Sequence, residues 1–173
     1  MKQNKKLLSV GAIIHNEFDE ILLCHVTGQS NYDIPKGLQN ENESYLETCV
    51  RELKEETGLL ESNVELIACT RGWLKYRLPR KMIRQNSLPI CIGQKQKWFL
   101  LKLTSPDSAI NVRNCDVPEF DDWQWVSYWY PLSHVVSFKK NVYRQALKEL
   151  HPRLSRSLRS NKSQVSWNEV VNR

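Results

Sequence analysis

The stretch from Gly37 to Leu59, GLQNENESYLETCVRELKEETGL, constrains the fold and the chemistry of this chain more than any other. It predicts a loop followed by a helix. Ser44 with Glu47 three residues later is a capping-box pattern, and Gly58 is a typical helix terminator. Four apolar residues at helical spacing predict one stripe that packs on the rest of the protein, namely Leu46, Cys49, Val50 and Leu53.

The same helix is expected to carry three carboxylates on one face, roughly opposite the apolar stripe. Glu52, Glu55 and Glu56 lie at positions i, i+3 and i+4. Like charges at this spacing weaken an isolated helix. A hard divalent cation would remove that cost, because carboxylate oxygens suit Mg²⁺ or Mn²⁺. Arg51 beside the cluster is placed to orient one carboxylate. The alternative for three glutamates alone is a solvated acidic face.

The complete spacing of this stretch favours the metal site. It follows Gly-x5-Glu-x7-Arg-Glu-Leu-x-Glu-Glu-x-Gly-Leu from Gly37 through Glu43 to Leu59, and this pattern resembles the Nudix box at every fixed position. The resemblance implies cleavage of nucleoside diphosphates linked to another group. It also implies an α/β fold, an α/β/α sandwich around a mixed β-sheet.

Hydrophobic patterning along the chain agrees with that fold, because strands alternate with two main helices. We expect strands over residues 7–15, 20–26, 64–70, 95–104 and 123–128, and a long irregular segment before the fourth of them. Pro131 is expected to start a short helix, and a second long helix is expected over 138–150, with Pro152 ending it.

Aromatic-rich segments in the second half of the chain indicate which group of Nudix enzymes it resembles. They lie at residues 97–101, 118–121, 123, 125–131, 135–139 and 142–144. They are similar to bacterial Nudix enzymes that act on the 5′ end of RNA and were also described as dinucleoside polyphosphate hydrolases. This resemblance covers about residues 7 to 150. It implies removal of pyrophosphate, or of successive phosphates, from triphosphorylated RNA, which leaves 5′-monophosphate RNA. The alternatives are a diadenosine tetraphosphate-type hydrolase and, from another class, a non-catalytic RNA-binding protein.

The resemblance also implies roles for individual residues. The metal site would consist of Glu52, Glu55, Glu56, Glu119 and Gly37, with Mg²⁺ as the cofactor and Mn²⁺ as a substitute. Glu55, or else Glu52, would act as general base, with Arg51 as a third catalytic residue. Phe138 would stack on a base; the alternative is a core residue. Further substrate contacts are expected from Lys139, Lys36, Tyr76 and Arg84.

The resemblance also implies arginines near the 5′ phosphate, one before the first strand and two in the strand before Gly28-Gln29. Here the corresponding positions lie near Leu7 and at His25-Val26 and hold no arginine. Lys5, Lys6, Lys36 and His25 are the candidates to supply the missing charge.

The charge distribution points to a polyanionic substrate. The formal net charge is +6, and no acidic residue occurs between Ile67 and Pro106. That window holds nine basic residues, which are Arg71, Lys75, Arg77, Arg80, Lys81, Arg84, Lys95, Lys97 and Lys102. It is a candidate phosphate-binding surface; a flexible basic loop that binds nothing specific is the alternative.

The amino-acid composition also predicts how the chain is divided into domains and in which cellular compartment it lies. Residues 1–150 are expected to form one hydrolase domain, followed by a flexible basic tail over 151–173. In that tail, Trp167, Val170 and Val171 would either dock back or meet a partner. Five scattered cysteines without a Cys-x-x-Cys pair suggest free thiols, and no apolar run is long enough to span a membrane. We therefore expect a cytoplasmic protein.

Overall fold

The computed structural model describes residues 4–157 and 166–171. The strands in this part of the chain are β1 (Asn4–His15), β2 (Ile21–Val26), β3 (Tyr32–Asp33), β4 (Lys36–Leu38), β5 (Val64–Cys69), β6 (Leu74–Arg77), β7 (Ile90–Leu103) and β8 (Phe120–Val126). The helices are α1 (Tyr45–Thr57), α2 (Lys140–Ser157) and α3 (Trp167–Val171), and short 3₁₀ turns connect several elements.

The strands form one mixed sheet in the order β3-β2-β1-β7-β5. Its centre is the parallel pair of β1 and β7, which runs from Asn4 opposite Ile90 to His15 opposite Lys102, with one register shift between Lys5 and Lys6. The other pairings are antiparallel: β4 lies on β1, β6 on β7, and β8 on β2. The other strands are therefore attached to a central pair that consists of two distant parts of the sequence.

Side chains that alternate along the central strands build a hydrophobic layer on each face of the sheet. On one face, Val10, Ala12 and Ile14 of β1 pack with Cys49 and Leu53 of α1. On the other face the buried residues of α2 pack on the sheet, and they are Val142, Tyr143, Ala146, Leu147, Leu150 and Leu154. The predicted α/β/α sandwich around a mixed sheet is confirmed.

Helix α1 begins and ends as its sequence predicts. The Glu47 amide donates to Ser44 Oγ at 3.1 Å, and the Ser44 amide donates to Glu47 Oε2 at 2.7 Å. Gly58 ends the helix with φ 72°, in the left-handed region. The predicted apolar stripe is only partly right, because Val50 is half-buried while Glu56 is buried.

Several predicted boundaries were wrong because long-range pairing decides them. Strand β7 begins at Ile90 rather than at residue 95, and β6 pairs with its first half inside the segment that was expected to be irregular. Strand β8 ends at Val126, and Pro131 lies in a 3₁₀ turn (Tyr130–Ser133) rather than in a longer helix.

Helix α2 does not end at Pro152, contrary to our prediction. It runs to Ser157 with Pro152 inside it, so the boundary expected after residue 150 falls within a helix. A proline in this position costs a backbone hydrogen bond. Leu150 and Leu154 on either side of it are both buried, and that packing on the sheet holds the last turns in helical form.

The structure also describes part of the chain that was expected to be a flexible tail. Trp167, Val170 and Val171 of α3 pack against the α1-side layer, so this apolar cluster docks back on the domain; residues 158–165 lie outside the described part. A cavity of about 840 Å³ lies between β5, α2 and α3. Within the described residues, no helix combines the length and hydrophobicity needed to cross a bilayer.

The contact between Gly11 and Trp98 yields a stability prediction. A Cβ on Gly11 would lie 2.4 Å from Trp98 Cε3, whereas a Cβ on Gly72 would meet nothing within 4 Å. Gly11→Ala should therefore lower the free energy of unfolding by about 1–3 kcal/mol, because the buried indole has to shift. Gly72→Ala, the matched control, should change it little. Urea unfolding of both variants measures the difference, and equal stabilities would contradict this account.

Candidate functional site

Arg51 of α1 is the centre of a hydrogen-bonded network of acid groups. Its Nε donates to Glu43 Oε1 at 2.7 Å and its Nη2 to Glu43 Oε2 at 3.0 Å, a bidentate ion pair. Its Nη1 donates to Glu52 Oε1 at 2.5 Å and to Glu55 Oε2 at 3.1 Å. Nη2 also reaches the Leu38 carbonyl at 2.9 Å, which ties α1 to β4. The guanidinium thus fixes three carboxylates and the neighbouring strand.

Glu43 anchors this network from the loop before α1. Its Oε2 also accepts from the Asn40 amide at 3.0 Å and from Thr48 Oγ1 at 2.8 Å. The hydrogen bonds from Arg51 lower the pKa of Glu43 to about 2. We did not assign Glu43 to the site from sequence, although it fills a fixed position of the motif. The spacing of eight residues to Arg51 was the available signal.

Gly37 of β4 leaves the space that Glu52 fills. A Cβ on Gly37 would lie 1.9 Å from both Cδ and Oε1 of Glu52. Burial raises the pKa of Glu52, and the charges of Glu55 and Glu119 raise it further, against the lowering effect of Arg51. The missing side chain at Gly37 therefore lets a carboxylate press against the strand backbone.

Glu56 and Glu119 meet across the site. Glu56 is buried, and its Oε2 accepts from the Lys36 amide at 2.8 Å. Glu119 enters from the loop before β8, where the Thr27 amide holds its carbonyl at 2.9 Å. Burial, together with a hydrogen bond and charge repulsion from Glu119, raises the pKa of Glu56 to about 10. Two neighbouring carboxyl groups of this kind also present oxygens that suit a hard cation.

Glu52, Glu55 and Glu119 border a cleft of about 490 Å³, whereas Glu56 is buried behind it and is not one of its lining residues. The lining residues are Ser9, Lys36, Gly37, Leu38, Asn40, Arg51, Glu52, Glu55, Gln94 and Glu119. The side chain of Glu55 is 57% exposed, while that of Glu52 is 13% exposed. Within residues 4–157 and 166–171, no three acidic, histidine or cysteine side chains already form a closed ligand cage.

Ser9 and Gln94 are cleft residues that our sequence reasoning missed. Ser9 is a buried polar residue within a strand that is otherwise apolar toward its middle. A polar residue at an inward strand position is the signal that would have found it.

Lys36 is engaged within the protein. Its Nζ forms an ion pair with Asp33 and lies 3.2 Å from Tyr143 Oη, and Tyr143 Oη donates to Asp33. Burial opposes ionisation of Asp33, but the Lys36 ammonium and its hydrogen bond lower the pKa of that carboxyl overall. The side chain of Lys36 is therefore a link between β3, β4 and α2, although its backbone borders the cleft.

Three of the predicted substrate contacts form one cluster. The rings of Tyr76 and Phe138 have centroids 5.7 Å apart, and Lys139 Nζ lies 5.9 Å from each ring. Tyr76 is 7% exposed and pairs in register with the cleft residue Gln94. Phe138 is half-buried, which leaves part of its ring accessible. Because Gln94 lines the cleft and pairs with Tyr76, the cluster lies beside the cleft. Burial lowers the pKa of Lys139, and nearby Lys36 lowers it further.

The nine-residue basic run does not act as one surface. None of its members lines the cleft within the described residues, and Arg84 is exposed in the loop between β6 and β7. Lys97 is buried, and its Nζ donates to the Thr70 and Arg71 carbonyls at 3.1 and 2.8 Å. His25, a candidate for the missing phosphate charge, instead pairs with Asp121.

Comparison with known proteins adds a family and named relatives. The NUDIX domain family model matches residues 5–150. The chain is 53% identical over 150 residues to a protein named RNA pyrophosphohydrolase from Marinomonas sp., covering 87% of this chain and 93% of that one. It is 52% identical over 146 residues to the protein of that name from Ectopseudomonas mendocina, covering 84% and 92%.

Two solved structures share the fold at low sequence identity. The dihydroneopterin triphosphate pyrophosphohydrolase of E. coli superposes with a TM-score of 0.64 at 17% identity, covering 86% of this chain and 99% of that one. The Ap4A hydrolase of C. elegans, in a binary complex, superposes with a TM-score of 0.60 at 18% identity, covering 88% and 98%.

The Arg51–Glu43 pair yields a prediction about pH. Glu43→Gln should lower the free energy of unfolding at neutral pH by about 1–3 kcal/mol, because it removes a charged, largely buried hydrogen-bond acceptor. The native pKa is depressed from 4.5 to about 2, so this contribution is present above pH 4.5 and is lost as the pH falls toward 2. The difference from wild type should shrink over that interval in urea titrations. Glu41→Gln, an exposed change in the same loop, is the control; a difference independent of pH would refute this account.

Proposed function

The chain belongs to the NUDIX family, and from this premise we propose that it removes pyrophosphate, or successive phosphates, from the 5′ end of triphosphorylated RNA. The observation that carries this proposal is about 50% identity, over more than four-fifths of the chain, to curated proteins named RNA pyrophosphohydrolase. The product would be 5′-monophosphate RNA. An RNA substrate of this kind also makes the cytoplasm the expected location.

A divalent metal ion is the cofactor of such a hydrolase, and the donor set of this chain fits one. Glu56 and Glu119 already share a hydrogen bond, and Glu52 and Glu55 border the same cleft. We propose that these four carboxylates, with Gly37 in the adjoining strand, hold Mg²⁺, which Mn²⁺ can replace. When bound, such an ion neutralises phosphate charge and lowers the pKa of water.

The protein groups then have separate tasks. Glu55 is the more exposed carboxylate and is our choice as general base, with Glu52 next to it as the alternative. It takes the proton of a water molecule whose oxygen forms a bond to phosphorus while the phosphoanhydride bond breaks and pyrophosphate leaves. Arg51 orients both carboxylates.

The substrate cluster beside the cleft supports RNA as the substrate. The accessible part of the Phe138 ring offers a stacking surface for a base, and Lys139 adds a positive charge next to it. Tyr76, being buried, supports the Phe138 ring rather than contacting RNA through its face. Lys36 positions the β3–β4 segment, and its backbone rather than its ammonium faces the carboxylates.

The direct test compares three substrates with Mg²⁺ and with EDTA. They are a short 5′-triphosphorylated RNA, a nucleoside triphosphate and diadenosine tetraphosphate. We expect metal-dependent conversion of the RNA to its 5′-monophosphate form, with a higher kcat/KM than for either nucleotide. A preference for diadenosine tetraphosphate would support the alternative hydrolase, and RNA binding without turnover would overturn the enzyme proposal.

Glu56→Gln should remove activity while leaving the fold intact. The amide keeps an oxygen for the Lys36 N–H but loses the negative charge. We expect turnover to fall at least about 100-fold, the effect typical of losing a residue that supports a metal. The exposed change Glu41→Gln should leave turnover unchanged. Near-normal activity of Glu56→Gln would refute the metal assignment.

Gly37→Ala tests whether space, rather than charge, controls the site. The added methyl occupies the position of the Glu52 carboxylate. Turnover should fall at least about tenfold, since a misplaced ligand or base costs rate even when its charge remains. Gly72→Ala, with open space around it, should keep full turnover. Wild-type rates for Gly37→Ala would show that the close approach to Glu52 is unimportant.

A further inference from the structure

Basic residues from three different strands meet on one face of the sheet. Val10 and Ala12 of β1 face the α1-side layer, so by alternation Lys6 also lies on that face. On β7, Phe99 faces the same layer and places Lys95 there as well. Lys75 of β6 pairs directly with Lys95, and so shares its face.

The fourth cation completes this set. Tyr76 of β6 packs into the α2-side layer, which leaves its neighbours Lys75 and Arg77 on the opposite, α1-facing side. Gly93, without a side chain, lies between Lys6 and Arg77, because it pairs with both. We call Lys6, Lys75, Arg77 and Lys95 the four-cation face.

Ion pairs to acidic side chains are absent from this face among the residues that the structure describes. Lys75 and Arg77 are exposed, and Lys6 and Lys95 are partly exposed. Two lysines directly opposite each other on adjacent antiparallel strands repel and destabilise the sheet. A bound polyanion would relieve that repulsion.

The four-cation face lies next to residues of the cleft and of the Tyr76–Phe138 cluster. Gln94 lines the cleft and directly precedes Lys95, and Tyr76 contacts Phe138 and lies between Lys75 and Arg77. Among the described strands β6 pairs with β7 alone, so it is an edge over which an RNA chain can pass from Phe138 to the other side of the sheet. Access to the cations therefore begins next to the proposed base-stacking residue.

We propose that the four-cation face binds the phosphate backbone of single-stranded RNA downstream of the 5′ nucleotides held at the cleft. This inference rests on the proposed function, and it extends it by giving the enzyme a contact that short substrates do not make. The face neutralises phosphates and does not read bases, because contacts from lysine and arginine to phosphate oxygens carry no sequence information.

The experiment compares a long unstructured 5′-triphosphorylated RNA with a 5′-triphosphorylated dinucleotide. For Lys75→Gln with Lys95→Gln, KM for the long RNA should rise about tenfold, the lower end of electrostatic steering effects. The kcat value, and both constants for the dinucleotide, should stay unchanged. The slope of log kcat/KM against log salt should fall by about 0.7 per cation removed. Arg77→Gln should change KM for the long RNA in the same direction, again without an effect on the dinucleotide.

A matched control separates position from total charge. Lys102→Gln with Lys148→Gln removes the same two charges elsewhere and should leave KM for the long RNA at the wild-type value. The proposal is overturned if this control raises KM for the long RNA as much as the face variants do. It is also overturned if the face variants leave KM for the long RNA unchanged, or if they raise KM for the dinucleotide by the same factor.

A binding measurement keeps this proposal distinct from the catalytic one. Fluorescence anisotropy with a long 5′-hydroxyl RNA requires no turnover, and the face variants should bind it about tenfold more weakly than wild type. Wild-type protein that binds but does not hydrolyse RNA would overturn the proposed function while supporting the face. If the face variants bind RNA as tightly as wild type but no longer bind polyglutamate, the face would instead bind an acidic protein. That result would overturn the RNA proposal.

Discussion

The candidate site depends on the ion pair between Arg51 and Glu43. A single guanidinium holds Glu43, Glu52 and Glu55 and also bonds the Leu38 carbonyl, so it joins a loop, a helix and a strand. Without that positive charge, the carboxylates of α1 would repel one another along the helix. The bidentate geometry fixes direction as well as charge, which a lysine at this position would not do. The remaining acid groups are then placed around a centre that is already rigid.

The second constraint is space. Gly37 admits the Glu52 carboxylate against β4, and the Lys36 amide next to it holds Glu56. Two adjacent residues of one short strand therefore position two carboxylates from consecutive turns of α1. Asp33 and Tyr143 secure that strand through the Lys36 side chain, so the α2 layer supports a site built mainly on the α1 layer. Packing on both faces of the sheet contributes to the geometry of one cleft.

Features that depend on neighbours in sequence were predictable, and those that depend on distant contacts were not. The capping box, the Gly58 stop and the carboxylate face of α1 follow from spacing within one helix. The link from Lys36 to α2 could not be foreseen, because Tyr143 is more than 100 residues away, although its ion-pair partner Asp33 is only three residues before it. The same holds for Pro152, which stays helical because Leu154 is buried on the sheet. The basic run looked continuous in sequence, but folding divides it between a buried lysine, loops and one sheet face.

The parallel pairing of β1 with β7 has a consequence for biosynthesis. Asn4 meets Ile90 and His15 meets Lys102, so the middle of the sheet cannot close until most of the chain has left the ribosome. Pairings across such long loops form slowly, since the entropy of closing the loop is lost before the contacts form. During that interval β1 lacks its longest strand partner, which leaves backbone and apolar surface uncovered in a state prone to aggregation. The nascent chain is therefore most vulnerable between synthesis of its first strand and of its seventh, a window in which a chaperone that covers extended apolar segments would have the largest effect on yield.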